Sequence, residues 1–278
     1  MKSVLVTGGS GTFGKAFVAK CLDIGVERIC IYSRGEHAQA AMRQSLNDDR
    51  LRYFIGDVRD VDRLRRAMDG VEVVVHAAAL KRVEVCEYDP LEVVKTNVFG
   101  AANVIEAATD AGVEKVIAIS TDKACDPVNA YGASKLLAEK MFMAANNARG
   151  ASGPRFAVCR YGNVTGSAGS VIPKWREILK TTDTVPVTDP DCTRFHMRLG
   201  QAVDLVLHAI ETTKGGELFV PELPAYRLGD LAEAMGAKMN VLGLPEHEKR
   251  HESMIRAASS ADTRRLTVDE IRTELAAL

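Results

Sequence analysis

The stretch Thr7-Gly8-Gly9-Ser10-Gly11-Thr12-Phe13-Gly14 constrains the fold of this chain more than any other. It follows the apolar run Ser3–Thr7 and opens an amphipathic stretch near residues 11–22. Gly8, Gly11 and Gly14 have G-x-x-G-x-x-G spacing. Glycines so placed allow a tight turn, close backbone approach to a pyrophosphate and close helix–strand packing, with the helix amino terminus facing the phosphates. Thr7, Gly8, Gly11, Thr12, Phe13 and Gly14 are therefore expected to hold a dinucleotide.

Beyond residue 22 the chain has the rhythm of a parallel sheet. Strand-like runs at 28–32, 51–55, 72–76, 116–120 and 156–160 alternate with helical patterns near 36–47, 61–68, 90–111 and 130–145. Strands joined by helical crossovers imply an α/β fold, a Rossmann-type doubly wound parallel sheet. After about Gly162 the rhythm breaks. Residues 166–170 and 185–191 read as loops, 201–212 and 228–235 as helices around a short strand at 217–220, and 267–278 as a last helix. This predicts a cofactor-binding domain over 1–162 and a smaller carboxyl-terminal substrate-binding lobe over 163–278 that can interleave with the sheet.

The end of the second strand selects the dinucleotide. An acid there would accept a bond from the ribose of NAD, but this chain has Tyr32-Ser33-Arg34, with Glu36 two residues on. A hydroxyl and a guanidinium suit a 2′-phosphate, so NADP is favoured over NAD, for which Glu36 leaves room. Asp57 and Val58 fall where adenine is contacted in such folds. Ala77, Ala78 and Ala79 would let the backbone approach the cofactor, and Lys81 is placed to meet a cofactor or substrate phosphate.

Tyr131 and Lys135 lie four apart on one helix face, one turn from each other. A lysine near a tyrosine favours the phenolate, which can take a proton from a substrate hydroxyl as hydride leaves carbon. Just upstream, at the end of a strand, stand Thr121, Asp122 and Lys123. An acid and a second amine there add proton chemistry that hydride transfer alone does not require. His76 reads as a core histidine, and Trp175 as packing rather than base stacking. Cys125 has no histidine near it in sequence to make it a nucleophile.

Other classes recede. Thirty-six basic against 37 acidic residues leave a net charge of −1, so no global field points to nucleic acid or membrane. No apolar run is long enough to span a bilayer. The six cysteines show neither pairing nor metal-ligand spacing, which fits reduced thiols in a cytoplasm. No metal site is expected.

The glycine loop with Tyr131-Gly-Ala-Ser-Lys135 resembles the extended short-chain dehydrogenases/reductases. Further residues are similar to the inverting UDP-N-acetylglucosamine 4,6-dehydratases of capsule and flagellin-sugar synthesis: Tyr32-Ser33-Arg34, Ala79-Leu80-Lys81, Cys86-Glu87-Tyr88, Lys95-Thr96-Asn97-Val98, Ser120-Thr121-Asp122-Lys123-Ala124, Arg160-Tyr161-Gly162-Asn163-Val164, Gly169-Ser170-Val171-Ile172-Pro173 and Thr193-Arg194-Phe195. The match runs over roughly residues 1–235. It implies a nucleotide-sugar substrate, an oligomer of like chains, and a lyase reaction. In that reaction Tyr131 is the base for C4 oxidation, a neutral Lys123 removes the C5 proton, Asp122 protonates the departing C6 hydroxyl, Thr121 orients the sugar, and hydride returns to C6. Asn97 would support Lys135, Tyr161 and Asn163 would meet the cofactor, and Lys81, Asn163, Ser170, Val171 and Arg194 the substrate. A 4-epimerase or plain oxidoreductase needs Tyr131 and Lys135 but not Lys123, and remains the alternative.

Departures cluster in the substrate half. Ala168 stands where the family has Arg, Cys192 and His196 flank Thr-Arg-Phe in place of Met and an aromatic, and Arg82 and Glu84 replace His and Pro. Near the end, Leu244-Pro245-Glu246-His247-Glu248-Lys249-Arg250-His251-Glu252 lacks the family's diphosphate-binding Arg, for which Arg250 or Arg227 is the expected substitute.

Overall fold

The computed structural model describes residues 1–167 and 169–278, so the Ala168 departure lies outside the described residues. Six strands, β1 (Ser3–Thr7), β2 (Arg28–Ser33), β3 (Leu51–Ile55), β4 (Val73–His76), β5 (Lys115–Thr121) and β6 (Arg155–Tyr161), are joined by helical crossovers. All pair in parallel, in the spatial order β6-β5-β4-β1-β2-β3. The Val, Ile and Leu side chains of β1, β2 and β4 are buried on both faces, as a sheet covered on each side requires. The expected α/β doubly wound fold is the observed one.

The strand Leu218–Phe219 adds to β6 as the seventh member of this sheet. It arrives through helix Leu199–Thr212, whose Ala202, Val206 and Ala209 pack in the same core as Phe17 and Val18 of helix Thr12–Asp23. The chain therefore returns to the sheet after leaving it. The rest of the carboxyl-terminal part forms small sheets with their own core around Trp175, Val185, Leu231 and Ile271, where Trp175 packs as expected.

One stretch expected to be irregular is partly regular. Thr184–Val187, inside the expected loop 185–191, is a strand paired, among the described residues, only with Lys238–Val241. Pro186 is tolerated because the strand has a free edge and the missing N–H costs no ladder bond. Helices Val83–Tyr88 and Val171–Ile178 escaped notice because each spans only two turns, too short for a helical period to emerge. The expected 90–111 helix is continuous in path but passes through a π-helical stretch, Val94–Phe99, that carries Asn97. Among the described residues no helix is long and apolar enough to cross a membrane.

Candidate active site

β1 lies between β2 and β4, so chain direction through the sheet reverses between β1 and β4. A crevice opens there, beyond the carboxyl ends of the strands. Gly8 has φ +68°, and a Cβ on it would stand 3.0 Å from the Ala77 carbonyl carbon, so only glycine lets the two strand ends come this close. A cavity of about 1010 Å³ extends from this crevice. Its wall includes Gly8, Gly11, Thr12, Phe13, Gly14, Ser33, Arg34, Asp57, Val58, Ala77, Ala78, Ala79, Lys81, Tyr161 and Asn163. Continuous with these are Thr121, Lys123, Tyr131, Lys135, Ser170, Val171 and Arg194.

Four expected site residues do not reach the wall. Thr7 turns inward and bonds His76 Nδ1 at 2.8 Å, and its Oγ1 accepts from Ala78 N at 3.2 Å. His76 is thus the core histidine expected, held down near pKa 3 by burial and by Lys135. Glu36 is exposed at the start of helix Glu36–Leu46. Asn97 is buried, accepts from Leu80 N at 2.8 Å and donates to Leu80 O at 2.9 Å and Ser134 Oγ at 3.0 Å. It ties the loop after β4 to the helix that carries Lys135. Asp122 is fully buried behind Thr121 and Lys123.

Tyr131 and Lys135 stand on helix Ala130–Ala148, capped by Asn129, whose side chain accepts from Gly132 N at 2.8 Å. Gly132 is dictated by packing: a Cβ there would lie 2.2 Å from Lys123 O. The helix start and the turn Asp122–Ala124 at the end of β5 can therefore touch, which brings Tyr131 to Thr121, its hydrogen-bond partner. Glu139, one further turn along from Lys135, is buried and bonded to buried Arg160 of β6 through Nε at 2.9 Å.

Around Lys123 the charges are dense. Its Nζ lies 3.2 Å from Asp122 Oδ1 and 3.1 Å from Glu252 Oε1. Glu252 Oε2 is 3.0 Å from Lys249 Nζ, and Lys249 also donates to Cys125 O at 2.8 Å. Arg194 pairs with Glu248 and donates to Thr193 O at 2.8 Å. Burial disfavours the Lys123 ammonium, but Asp122 and Glu252 together outweigh it and hold its pKa above the ordinary lysine value. This corrects the expectation of a neutral Lys123, because two carboxylates flank the amine. Asp122 is shifted up, chiefly by burial and also by Glu252, against the pull of Lys123. Glu252, buried too, is nonetheless held near 2 by Lys123, Arg194 and Lys249.

The other pair also departs from expectation. Burial pushes the Tyr131 phenol up to about 12, opposed by the charge of Lys123 and the bond with Thr121, so Lys123 and not Lys135 is the amine that favours its phenolate. Burial brings Lys135 down to about 8 against the raising effect of Glu139.

Neither expected substitute for the diphosphate-binding arginine fits. Arg250 pairs with Asp189 at 2.9 Å and Asp191 at 3.7 Å, Arg227 with Asp230 at 3.5 Å and Asp191 at 3.8 Å, and neither is on the cavity wall. His196 turns away as well, 3.2 Å from Glu274 of the last helix. Arg82 and Lys174 do reach the wall, with Lys174 3.5 Å from Glu84. Glu252 is the residue that sequence reasoning passed over. In the sequence it stands only as the last residue of the divergent run 244–252, with nothing to single it out.

A glycine cradle at the switch point of a parallel sheet, faced by a Tyr–Lys helix, defines an extended short-chain dehydrogenase/reductase. More narrowly, the chain belongs to the polysaccharide biosynthesis protein family, whose model it matches over residues 4–272. It is 46% identical over 272 residues to a UDP-N-acetylglucosamine 4,6-dehydratase (inverting) of Campylobacter jejuni, spanning 96% of this chain and 80% of that one. It is 43% identical over 270 residues to a UDP-glucose 4-epimerase of Rickettsia felis, spanning 94% and 79%. The X-ray structure of Pen from Bacillus thuringiensis superposes with a TM-score of 0.95 at 34% identity, covering 100% of this chain and 98% of that one.

Proposed function

We propose that this protein is a nucleotide-sugar 4,6-dehydratase acting on UDP-N-acetylglucosamine or a close relative, with NADP as its dinucleotide. The observation that carries the reading is Lys123, on the same cavity wall as Tyr131 and Lys135 and paired with Asp122 buried directly behind it. Oxidation and its reversal, all that epimerisation needs, leave that pair without employment. Its similarity to the Campylobacter jejuni dehydratase supports the same reading.

The cradle fits a dinucleotide. Gly8, Gly11 and Gly14 line it without side chains at the start of helix Thr12–Asp23, and Lys135 is on the same cavity to meet a ribose hydroxyl. A bound nicotinamide dinucleotide would supply the hydride acceptor at C4 and the donor at C6. Tyr131 takes the C4 hydroxyl proton, its phenolate favoured by Lys123 and Thr121. The ketone so formed acidifies the C5 proton. Lys123 passes one ammonium proton to Asp122 and, now neutral, accepts the proton from C5. Asp122, bonded at 3.0 Å to the wall residue Thr121, returns its proton through that hydroxyl to the C6 oxygen, which leaves as water. The pair ends as it began; as hydride returns to C6 the product also gains a proton at C5, which balances the one Tyr131 took from the C4 hydroxyl. Residues 163–198 and 220–278 serve as the substrate-facing lobe, with Asn163, Ser170, Val171, Arg194 and Lys81 on its side of the cavity.

The choice of NADP rests on Ser33 and Arg34. Ser33 Oγ accepts from Ser10 Oγ at 2.8 Å and Gln39 Nε2 at 2.9 Å, which leaves its own proton free to donate. Arg34 is exposed, 3.9 Å from Asp57. Arg34→Asp is expected to weaken NADP⁺ by about 10- to 100-fold, as loss of charge-assisted bonds to a phosphate implies, while NAD⁺ binding holds or improves. Calorimetric titration of both dinucleotides checks this, and equal losses for the two would remove Arg34 from the choice.

The reaction is tested by incubation with UDP-N-acetylglucosamine and mass measurement. Loss of one water is the expected outcome. Unchanged mass with inverted C4 would establish the epimerase reading, which the Rickettsia felis relative favours.

A further inference from the structure

We propose that Glu252 is the positioning residue for Lys123: it fixes the amine against the cavity wall and supplies the counter-charge that lets Asp122 take up a proton from Lys123. The inference deepens the dehydratase reading and rests on it for its catalytic meaning, though not for its test.

Geometry carries the argument. Glu252 is 2% exposed and presents Oε1 to Lys123 Nζ at 3.1 Å, as close as Asp122 on the other side. A buried carboxylate is costly unless paired, so its presence here calls for a reason. Docking of its segment is not that reason. Residues 247–260 are anchored by contacts that omit the Glu252 side chain. Asn129 Nδ2 donates to His247 O at 3.0 Å, Thr193 N to Arg250 O at 2.9 Å and Arg160 to Met254 O at 2.6 Å. Thr193 Oγ1 also bonds His251 Nδ1 at 2.8 Å and Ser260 Oγ at 2.6 Å. These backbone and side-chain bonds hold the segment independently of Glu252, whose Oε2 adds a pair with Lys249 and whose Oε1 is given to Lys123.

The charged and titratable groups facing Lys123 come from every element around it. Asp122 stands on its own turn, Tyr131 on the helix, Arg194 and Tyr226 on paired strands, and Glu252 with Lys249 on the carboxyl-terminal segment. Two of these are carboxylates, and one ammonium needs only one of them. Glu252 is held ionised by Lys123, Arg194 and Lys249 despite its burial. Asp122 has an Oδ2 with no hydrogen-bond partner among the described residues and sits where burial favours its acid form. The two carboxylates therefore divide the work, one as counter-ion and one as acid.

Competitive acetylation with acetic anhydride, read by mass spectrometry across pH 7–10, tests this without substrate. In Glu252→Gln, loss of an opposite charge at contact distance should move the onset of Lys123 labelling to lower pH and speed it at least about tenfold at fixed pH. Exposed Lys238 serves as the internal standard. Glu252→Asp, which keeps the charge at greater reach, should fall between the two and covers the case in which the Gln variant does not fold. Wild-type labelling of Lys123 in both variants would overturn the proposal. Failure of the wild type to dehydrate any nucleotide sugar would overturn the reading of function and leave the labelling result standing.

Discussion

Lys123→Ala is expected to keep dinucleotide binding within about twofold of wild type while exchange of the C5 proton falls by about 10²- to 10⁴-fold, the range a positioned general base supplies. The separation comes from placement. Lys123 stands at the end of β5, and its contacts are Asp122 and Glu252, not the glycine cradle. Deuterium uptake at C5 in heavy water, with cofactor affinity measured alongside, reads both halves. Normal uptake would remove Lys123 from the chemistry. The variant also leaves Asp122 and Glu252 facing each other without the cation between them. Like charges that close cannot both ionise cheaply, so one carboxylate should hold its proton to higher pH than a free carboxyl does, and stability should fall as pH rises through that range.

Much of this site could be read from the chain because its parts are local in sequence. The cradle is eight consecutive residues, and Thr121, Asp122, Lys123, Tyr131 and Lys135 fall within fifteen. β1 to β6 were legible because each is a short apolar run of fixed period between turn signals. Val61–Met68 matched its expected bounds because Asp60 caps it, accepting from Arg63 N at 2.9 Å.

What was not legible is what depends on distant segments meeting. Glu252 reaches Lys123 only because residues 247–260 cross back over the sheet end, and no spacing rule announces that. The protonation of Lys123 was misjudged for the same reason: a local view shows one carboxylate, whereas the fold supplies a second. The expected substitution of Arg250 or Arg227 failed because Asp189, Asp191 and Asp230 already claim them. Seven strands rather than six form the sheet because Leu218–Phe219 is too short for its partner to be read from its own sequence. Gly132 shows the converse. It sits inside a motif readable as Tyr–Lys spacing, yet its reason, the 2.2 Å approach to Lys123 O, appears only in three dimensions.

Glu139→Ala should be among the most damaging single changes away from the cavity. Glu139 and Arg160 are 3% and 7% exposed, and Arg160 also donates to Met254 O. Truncating one partner strands a buried guanidinium, a loss of about 3–5 kcal/mol. For a chain of this size that corresponds to a fall in Tm on the order of 10 °C by scanning calorimetry. Glu139→Gln keeps acceptor geometry and should cost less, so comparison of the two separates charge from shape. The charge has a second consequence. Burial alone draws Lys135 down, and Glu139 is what opposes it, leaving the amine near 8 and mostly charged at neutral pH. Without that carboxylate the Lys135 pKa falls further, and the charged fraction at neutral pH falls with it. The midpoint of dinucleotide affinity against pH should therefore move to lower pH in Glu139→Gln, even where the fold survives. A lower Tm with an unmoved midpoint would make Glu139 a purely structural partner of Arg160. A shifted midpoint would make the Arg160–Glu139 pair part of how the sheet sets the charge of the residue one helical turn from Tyr131.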